Sequence, residues 1–288
     1  MSGGTCRLPW GDWCQTMIRM KKVIRRLEIP LDDSRDVAMA ARYADRIEVC
    51  RSLDREGLSP SPELVAMVRL AVEESFRSDL GNERIPPALV VLHQERPPLP
   101  GVVGADHSIF VPESNEVESL LADVPRFADA GASSVVIGFL GSDGLQDDFS
   151  IERVVGAAES VGMSVAFHRA FDLLPDPADA VVRLRDLGVR RSLASGVPGF
   201  DPNVIDFERR RDRLETALQA GGDDFEIVLC GGVRAAHLER MRLPFQAVHA
   251  SCRSDPDASG RRVFDPDVAA ALRTSLDLGG APRGFHEA

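Results

Sequence analysis

The chain has 288 residues, 44% of them hydrophobic, with five cysteines and a formal net charge of −11 from 45 acidic and 34 basic side chains. That length can bury a large core without disulfides or a structural metal, and an odd number of thiols does not describe a disulfide framework. The acidic balance argues against nucleic acid or an anionic membrane as a partner, and no apolar run approaches the ~20 residues that span a bilayer.

Residues 1–22 mix Gly, Trp, Asp, Gln and Arg without periodicity. They are expected to form a mobile extension, with Met17 or Met20 as alternative starts. They hold no apolar signal core, so a cytoplasmic location is expected. A first strand is expected from Arg25 to Asp32, a helix from Ser34 to Tyr43 and a second strand from Asp45 to Arg51. Ser61-Pro62-Glu63 opens a helix, with Ser as cap, Pro in the first turn and Glu against the positive dipole end. Its apolar positions Leu64, Val65, Val68 and Val72 recur at helical spacing. A third strand, Ala88 to Leu92, precedes a Pro/Gly-rich loop that runs to residue 113. A helix from Asn115 to Ala130, a strand from Ser134 to Leu140 and a helix from Ile151 to Val161 follow.

The fifth strand begins at Ser164 and runs straight into His168, Arg169 and Asp172. Strands ordinarily end in small turn formers, so an imidazole, a guanidinium and a carboxylate at one tip mark a place for ligands and chemistry. A helix from Pro175 to Leu187, a sixth strand from Arg191 to Ala194 and a polar helix from Pro202 to Ala220 come next. In that helix Arg209, Arg210 and Arg211 lie between Glu208 and Asp212 as a solvated face. A seventh strand (Phe225 to Leu229), a helix (Ala235 to Met241), an eighth strand (Ala247 to Ser251) and a last helix (Asp265 to Leu276) complete the pattern.

Eight apolar strands, each followed by a helix, predict an α/β fold: a single (β/α)8 barrel of the TIM type over residues 23–277, with a mobile tail at 278–288. A doubly wound open sheet is the alternative. It usually carries a G-x-G-x-x-G turn after its first strand, where this chain reads Pro30-Leu-Asp-Asp-Ser34.

In such a barrel the C-terminal strand tips form the site. The candidates there for acid–base work are Glu28, Glu48, His168, Arg169, Asp172 and His249. Glu48 and Cys50 are two residues apart and share a face of their strand, as do His249 and Ser251. A salt-bridge network plugging the barrel is the structural alternative. Ser195, Gly231, Gly232, Arg234 and Ser251 sit where the last loops of such barrels often cradle a phosphate, although glycines also serve simply to permit tight turns. Cys50, Cys230 and Cys252 fall at the same end. Three thiols near histidines suit a soft ion such as Cu(I), yet there is no C-x-x-C spacing and free Cys is commonly just buried.

These segments resemble the CutC family. The resemblance rests on Ala44-Asp-Arg-Ile-Glu-Val-Cys50, Gly57-Leu-Ser-Pro-Ser61, Ser164 through Asp172, Ala194-Ser-Gly196, Gly231-Gly-Val-Arg234 and His249-Ala-Ser251. It implies a TIM-type barrel, a cytoplasmic homo-oligomer and a role in copper homeostasis with Cu(I) as the ion. The chain departs from the family at its first strand, Glu28-Ile-Pro30-Leu-Asp32, where the family writes Cys in place of Pro30. It departs again at Leu92-His-Gln-Glu-Arg-Pro97, where the family has a more basic, Gly-rich loop. Cys230 and Cys252 stand where the family has small residues.

Two functions therefore stand side by side. One is a copper-binding homeostasis protein. The other is an isomerase- or lyase-type enzyme acting on a small anionic or phosphorylated substrate, with Glu48 or Glu28 as base and His168 as acid. A ligand-binding barrel without turnover is a third.

Overall fold

The computed structural model describes residues 25–77, 84–97, 107–198, 205–258 and 260–279. The expected N-terminal extension, with Met17 and Met20, and all but the first two residues of the expected C-terminal tail lie outside them. Eight parallel strands close on themselves in chain order: β1 Arg26–Leu31, β2 Arg46–Val49, β3 Ala88–Leu92, β4 Ala132–Ile137, β5 Ser164–Phe167, β6 Arg191–Ala194, β7 Glu226–Leu229 and β8 Ala247–His249. The helices are α1 Val37–Ala40, α2 Pro62–Arg77, α3 Glu116–Asp129, α4 Asp148–Ser160, α5 Pro177–Asp186, α6 Phe207–Gly221, α7 Ala235–Met241 and α8 Pro266–Gly279. This is the (β/α)8 barrel, and an open sheet is ruled out by the β1–β8 pairing. Among the described residues no helix is long and apolar enough to cross a membrane.

Local chemistry sets the helix starts. Asp147, Asp176 and Asp206 each accept hydrogen bonds from backbone N–H groups in the first turn of α4, α5 and α6, which satisfies donors that the helix itself cannot. Asp206 caps α6, which runs from Phe207, and the expected start at Pro202 lies outside the described residues. The expected helix from Ser34 to Tyr43 is reduced to a 3₁₀ turn, Ser34–Asp36, and one turn of α1. Asp33 ties down Arg35 N there, and the chain then closes with Arg42 N to Met39 O and Tyr43 N to Ala40 O, bonds of 3₁₀ type. The fourth strand starts earlier than expected, and Phe139 and Leu140 have already left it for the loop.

The strand alternation divides the core in two. Leu27, Ile29, Ile47, Val49, Val91, Val135, Ile137 and Phe167 belong to the large cluster packed with the helices. Val90, Leu92, Val136, Ala166, Leu193, Val228 and Ala247 fill the barrel's own interior together with Cys50 and Cys230.

That interior is not wholly apolar. Glu28 is fully buried. Its Oε2 is ion-paired with Arg191 Nη1 and lies 3.0 Å from Arg46 Nε. Arg46 Nη1 reaches Glu226 Oε2 at 2.7 Å, and Glu226 Oε1 meets Arg26 Nη1 at 2.9 Å. Arg26, Arg46, Arg191 and Glu226 all open their strands, so this network closes the N-terminal floor, the end where barrels place stability. Breaking a buried pair leaves a charge without compensation. Arg191→Met should therefore lower unfolding stability by about 3–5 kcal/mol in urea titrations. The double variant Glu28→Leu/Arg191→Met should recover most of the loss, and an Arg191→Met protein as stable as wild type would count against the network's role.

Candidate active site

The C-terminal mouth opens into a cavity of about 850 Å³. Glu48 lines it because it lies two residues beyond the floor residue Arg46 on the inward face of β2. His168 lines it as the residue directly after β5 and His249 as the last of β8, with Arg169, Gly231, Gly232, Ser251, Gln94 and Arg253 around them.

Burial decides the charge states. Desolvation pushes the Glu48 carboxyl up to about 7, with Glu28 adding to the rise and His249, Arg191 and Arg169 opposing it. Its Oε1 is buried and has no hydrogen-bond partner. His168 responds in the opposite sense, because its charged form is the protonated one. Burial first, then Arg169 and His93, bring it down to about 3. Its Nδ1 accepts from Ala170 N at 3.0 Å, so the proton of the neutral ring sits on Nε2. For His249, burial alone would lower the pKa, but Glu48 and the hydrogen bond to Glu28 outweigh it and the net direction is upward.

Several expected site residues are placed elsewhere. Glu28 was expected at the mouth, but β1 runs three residues beyond it. Glu28 sits below the cavity, where burial works to raise its pKa and Arg191, then Arg46, outweigh that and hold it well below the ordinary range. A carboxylate so paired is no base. Asp172 also faces away from the cavity. Its Oδ2 accepts from Ser195 N at 2.9 Å and Ser195 Oγ at 2.7 Å, and its Oδ1 from Gly196 N at 2.9 Å. It stitches the 3₁₀ turn Arg169–Leu173 to the end of β6. The amide of Ser195, expected to help cradle a phosphate, is consumed by this carboxylate together with that of Gly196. Arg234 caps α7 and donates to Arg253 O at 2.9 Å outside the cavity lining. Gly231, at φ 85°, passes so close to Ser195 that an added Cβ would lie 2.9 Å from Ser195 Cβ. Of the expected phosphate set, only Gly231, Gly232 and Ser251 line the cavity.

The three thiols are all buried but do not converge. Cys50 and Cys230 belong to the barrel interior, whereas Cys252 packs in the outer layer against the helices. Among the described residues, the His, Cys, Asp and Glu groups that gather three ligand atoms within 4.8 Å reduce to Glu28, Glu48 and His249.

Sequence reading passed over other parts of the site. Arg46 and Arg191 hold Glu28. Asp32 holds the Arg253 guanidinium at 2.5 Å, and Glu56 meets Arg169 at 3.0 Å across the rim. Gly138, directly after β4, leaves the space that the His168 ring fills: a Cβ there would lie 1.7 Å from His168 Cε1. The parity of Arg46 with Glu48 was a usable signal for an inward guanidinium; Gly138 gave none.

The model of the CutC family matches residues 87–253. The CutC family protein of Rhizobium meliloti (strain 1021) is 30% identical over 254 residues, covering 87% of this chain and 91% of its own. That of Enterobacter sp. (strain 638) is 33% identical over 214 residues, 74% of each chain. Among solved structures, a CutC protein of Streptococcus agalactiae, named for copper homeostasis, aligns with a TM-score of 0.65 at 20% identity over 79% of this chain and 98% of its own. The 3-keto-L-gulonate-6-phosphate decarboxylase of Vibrio cholerae aligns with a TM-score of 0.56 at 14% identity over 88% of this chain and 98% of its own. At these identities the structural likenesses show the fold.

Copper(I) is the ion such a name suggests, and the donors here do not fit it. It prefers soft ligands, and the three thiols that could supply them are split between the barrel interior, Cys50 and Cys230, and the outer layer, Cys252. The one gathered set is of hard carboxylates and an imidazole, and Glu28 within it is already paired with Arg46, Arg191 and His249.

Two outcomes follow. The unfolded chain takes up a proton at His168 that the folded chain refuses. The fold therefore loses stability as pH falls from 6.5 toward about 3, with on the order of 5 kcal/mol at stake. His168→Asn should flatten that acid limb in urea midpoints measured between pH 7 and 4, and parallel curves for the two proteins would contradict it. Gly138→Ala should force the ring aside at a cost of about 1–3 kcal/mol, visible as a displaced His168 in a crystal structure of the variant.

Proposed function

The chain belongs to the CutC family, and on that premise we propose that it is an acid–base enzyme of isomerase or carbon–carbon lyase type, acting on a small hydroxycarbonyl compound that bears an anionic group. The observation that carries this reading is Glu48: a buried carboxyl on the cavity wall, with Oε1 unpartnered and its acidity brought to about 7. A proton-transfer group works best near the operating pH. In the isomerase form of the reaction, the Glu48 carboxylate takes a proton from the carbon beside the substrate carbonyl. The carbon–hydrogen bond pair moves into the carbonyl group, and charge collects on its oxygen. Return of a proton to the neighbouring carbon completes the shift. In the lyase form the proton comes from a hydroxyl whose oxygen becomes a new carbonyl; the adjacent carbon–carbon bond breaks, its electron pair passes onto the substrate's carbonyl oxygen as an enolate, and a proton returned to carbon completes the cleavage.

His168 suits the carbonyl oxygen. The sequence suggested a protonated acid; a neutral ring with its hydrogen on Nε2 is instead a fixed hydrogen-bond donor, which stabilises a developing oxyanion without having to lose a proton. Arg169, Arg253, Arg261 and Arg262 line the same cavity. Guanidinium forks hold carboxylate or phosphate, and they replace the amides of Ser195 and Gly196 as the anion's anchor. Asp172 and Glu28 support this arrangement from outside the cavity.

The test is a thermal-shift screen of phosphorylated and carboxylated hydroxycarbonyl compounds, followed by turnover of any hit. Glu48→Gln and His168→Ala should each remain folded and lose about 10²–10⁴ in rate, the range of one acid–base group. A folded wild-type protein that ignores every such compound, yet holds one Cu(I) per chain against a competing chelator, would replace this reading with the copper one.

A further inference from the structure

His249 stands between two carboxylates in different states. Its Nδ1 lies 2.9 Å from Glu28 Oε1, and its Nε2 lies 4.0 Å from Glu48 Oε2. The second oxygen of Glu28 is taken by Arg191 and Arg46. A carboxylate held between two guanidinium groups stays ionised and can only accept hydrogen bonds. The nitrogen facing it must therefore carry a hydrogen. That leaves Nε2 as the one ring position where a proton can come and go, and Nε2 is the nitrogen turned toward Glu48. Both His249 and Glu48 line the cavity.

We propose that Glu28 is a positioning residue that locks His249 as the Nδ1–H form, and that His249 Nε2 and Glu48 share one proton and act as a pair, His249 being the second proton-handling group of the mouth. This rests on the reading of the mouth as an acid–base site, and it supplies what that reading lacks, a partner to return the proton. In one state Glu48 is ionised and His249 protonated. Glu48 then takes a proton from substrate carbon, and the Nε2–H bond breaks to give one to the neighbouring carbon or to the oxygen. The pair gains one proton and gives one, so it ends with the count it began with, now as a protonated Glu48 and a neutral ring. Transfer between Glu48 and Nε2 resets it.

The charged and titratable neighbours are consistent with sharing. Glu28 on β1, Cys50 directly after β2, Arg169 after β5, Arg191 on β6 and Cys230 directly after β7 surround the two groups. The thiols are neutral, and the two guanidinium groups are balanced in part by Glu28 and Glu56. Burial raises Glu48, and His249 is raised in spite of burial. Opposite charges that stabilise each other in a dry site titrate as a pair rather than singly.

The test needs no substrate. The full chain labelled with ¹⁵N-histidine contains six histidines, and His249 is assigned by its loss in His249→Gln. Long-range ¹H–¹⁵N spectra across pH 5–9 should show Nδ1 of His249 protonated throughout and Nε2 alone titrating. Glu48→Gln should lower the Nε2 midpoint by about one pH unit or more, a tenfold loss of proton affinity. Glu28→Gln should release the lock, because an amide can donate as well as accept, and the Nε2–H tautomer should appear. Glu28→Gln leaves two guanidinium groups without an anion and endangers the fold, so Glu48→Gln carries the test by itself. A neutral His249 found as the Nε2–H tautomer in the wild type, or an Nε2 midpoint unmoved by Glu48→Gln, overturns the proposal. The two readings fail separately. Turnover lost in Glu48→Gln with His249 unmoved sinks the shared proton alone. A shared proton in a protein that answers no ligand sinks the enzyme alone.

Discussion

A buried carboxylate that cannot give up its charge organises this barrel. Glu28 has no contact with water, so its ionisation is paid for by Arg191 and Arg46 at one oxygen and by His249 at the other. The two arginines belong to the floor and the histidine to the mouth. One side chain thus links the stability end of the barrel to the chemistry end. Removing it would disturb both, since the arginines would lose their anion and His249 its fixed tautomer. A cation at the cluster of Glu28, Glu48 and His249 would have to compete with guanidinium groups that are already in place.

The same dry environment has opposite effects on two neighbouring groups. Burial penalises whichever form is charged. For Glu48 that form is the deprotonated one, and the carboxyl rises toward neutrality. For His168 it is the protonated one, and the ring is held neutral. The mouth therefore offers, at one pH, a carboxyl able to exchange protons and an imidazole that can only donate a hydrogen bond. Neither state was chosen by residue type alone. Gly138 completes the arrangement by leaving the space in which the ring lies.

The thiols illustrate how strand parity separates residues that look grouped in the sequence. Cys50, Cys230 and Cys252 all follow strand ends. Cys50 and Cys230 keep the inward parity of Glu48 and Val228 and lie in the barrel, whereas Cys252 falls beyond the end of β8, at φ 48°, and turns into the outer layer. Asp172 departs from expectation for a related reason. The turn that follows β5 carries it back toward β6, where the loop's own N–H groups meet its carboxylate before any ligand can.

By itself the sequence determined the architecture. Eight apolar strands alternating with helices predicted a barrel, and Ser61-Pro62-Glu63 set the start of α2, whereas the caps Asp147 and Asp176 of α4 and α5 emerged from the structure. It also marked Glu48, His168 and His249 as strand-end polar groups, because period-two alternation and an interrupted apolar run are properties of neighbouring residues. Only the tertiary structure decided how high in the barrel each group sits and what faces it. Glu28 is 163 residues from Arg191 and 221 from His249 in the chain, so nothing local distinguishes a trapped anion from a base at the mouth. Charge state follows from desolvation and from partners brought together by barrel closure, and closure is a property of all eight strands at once.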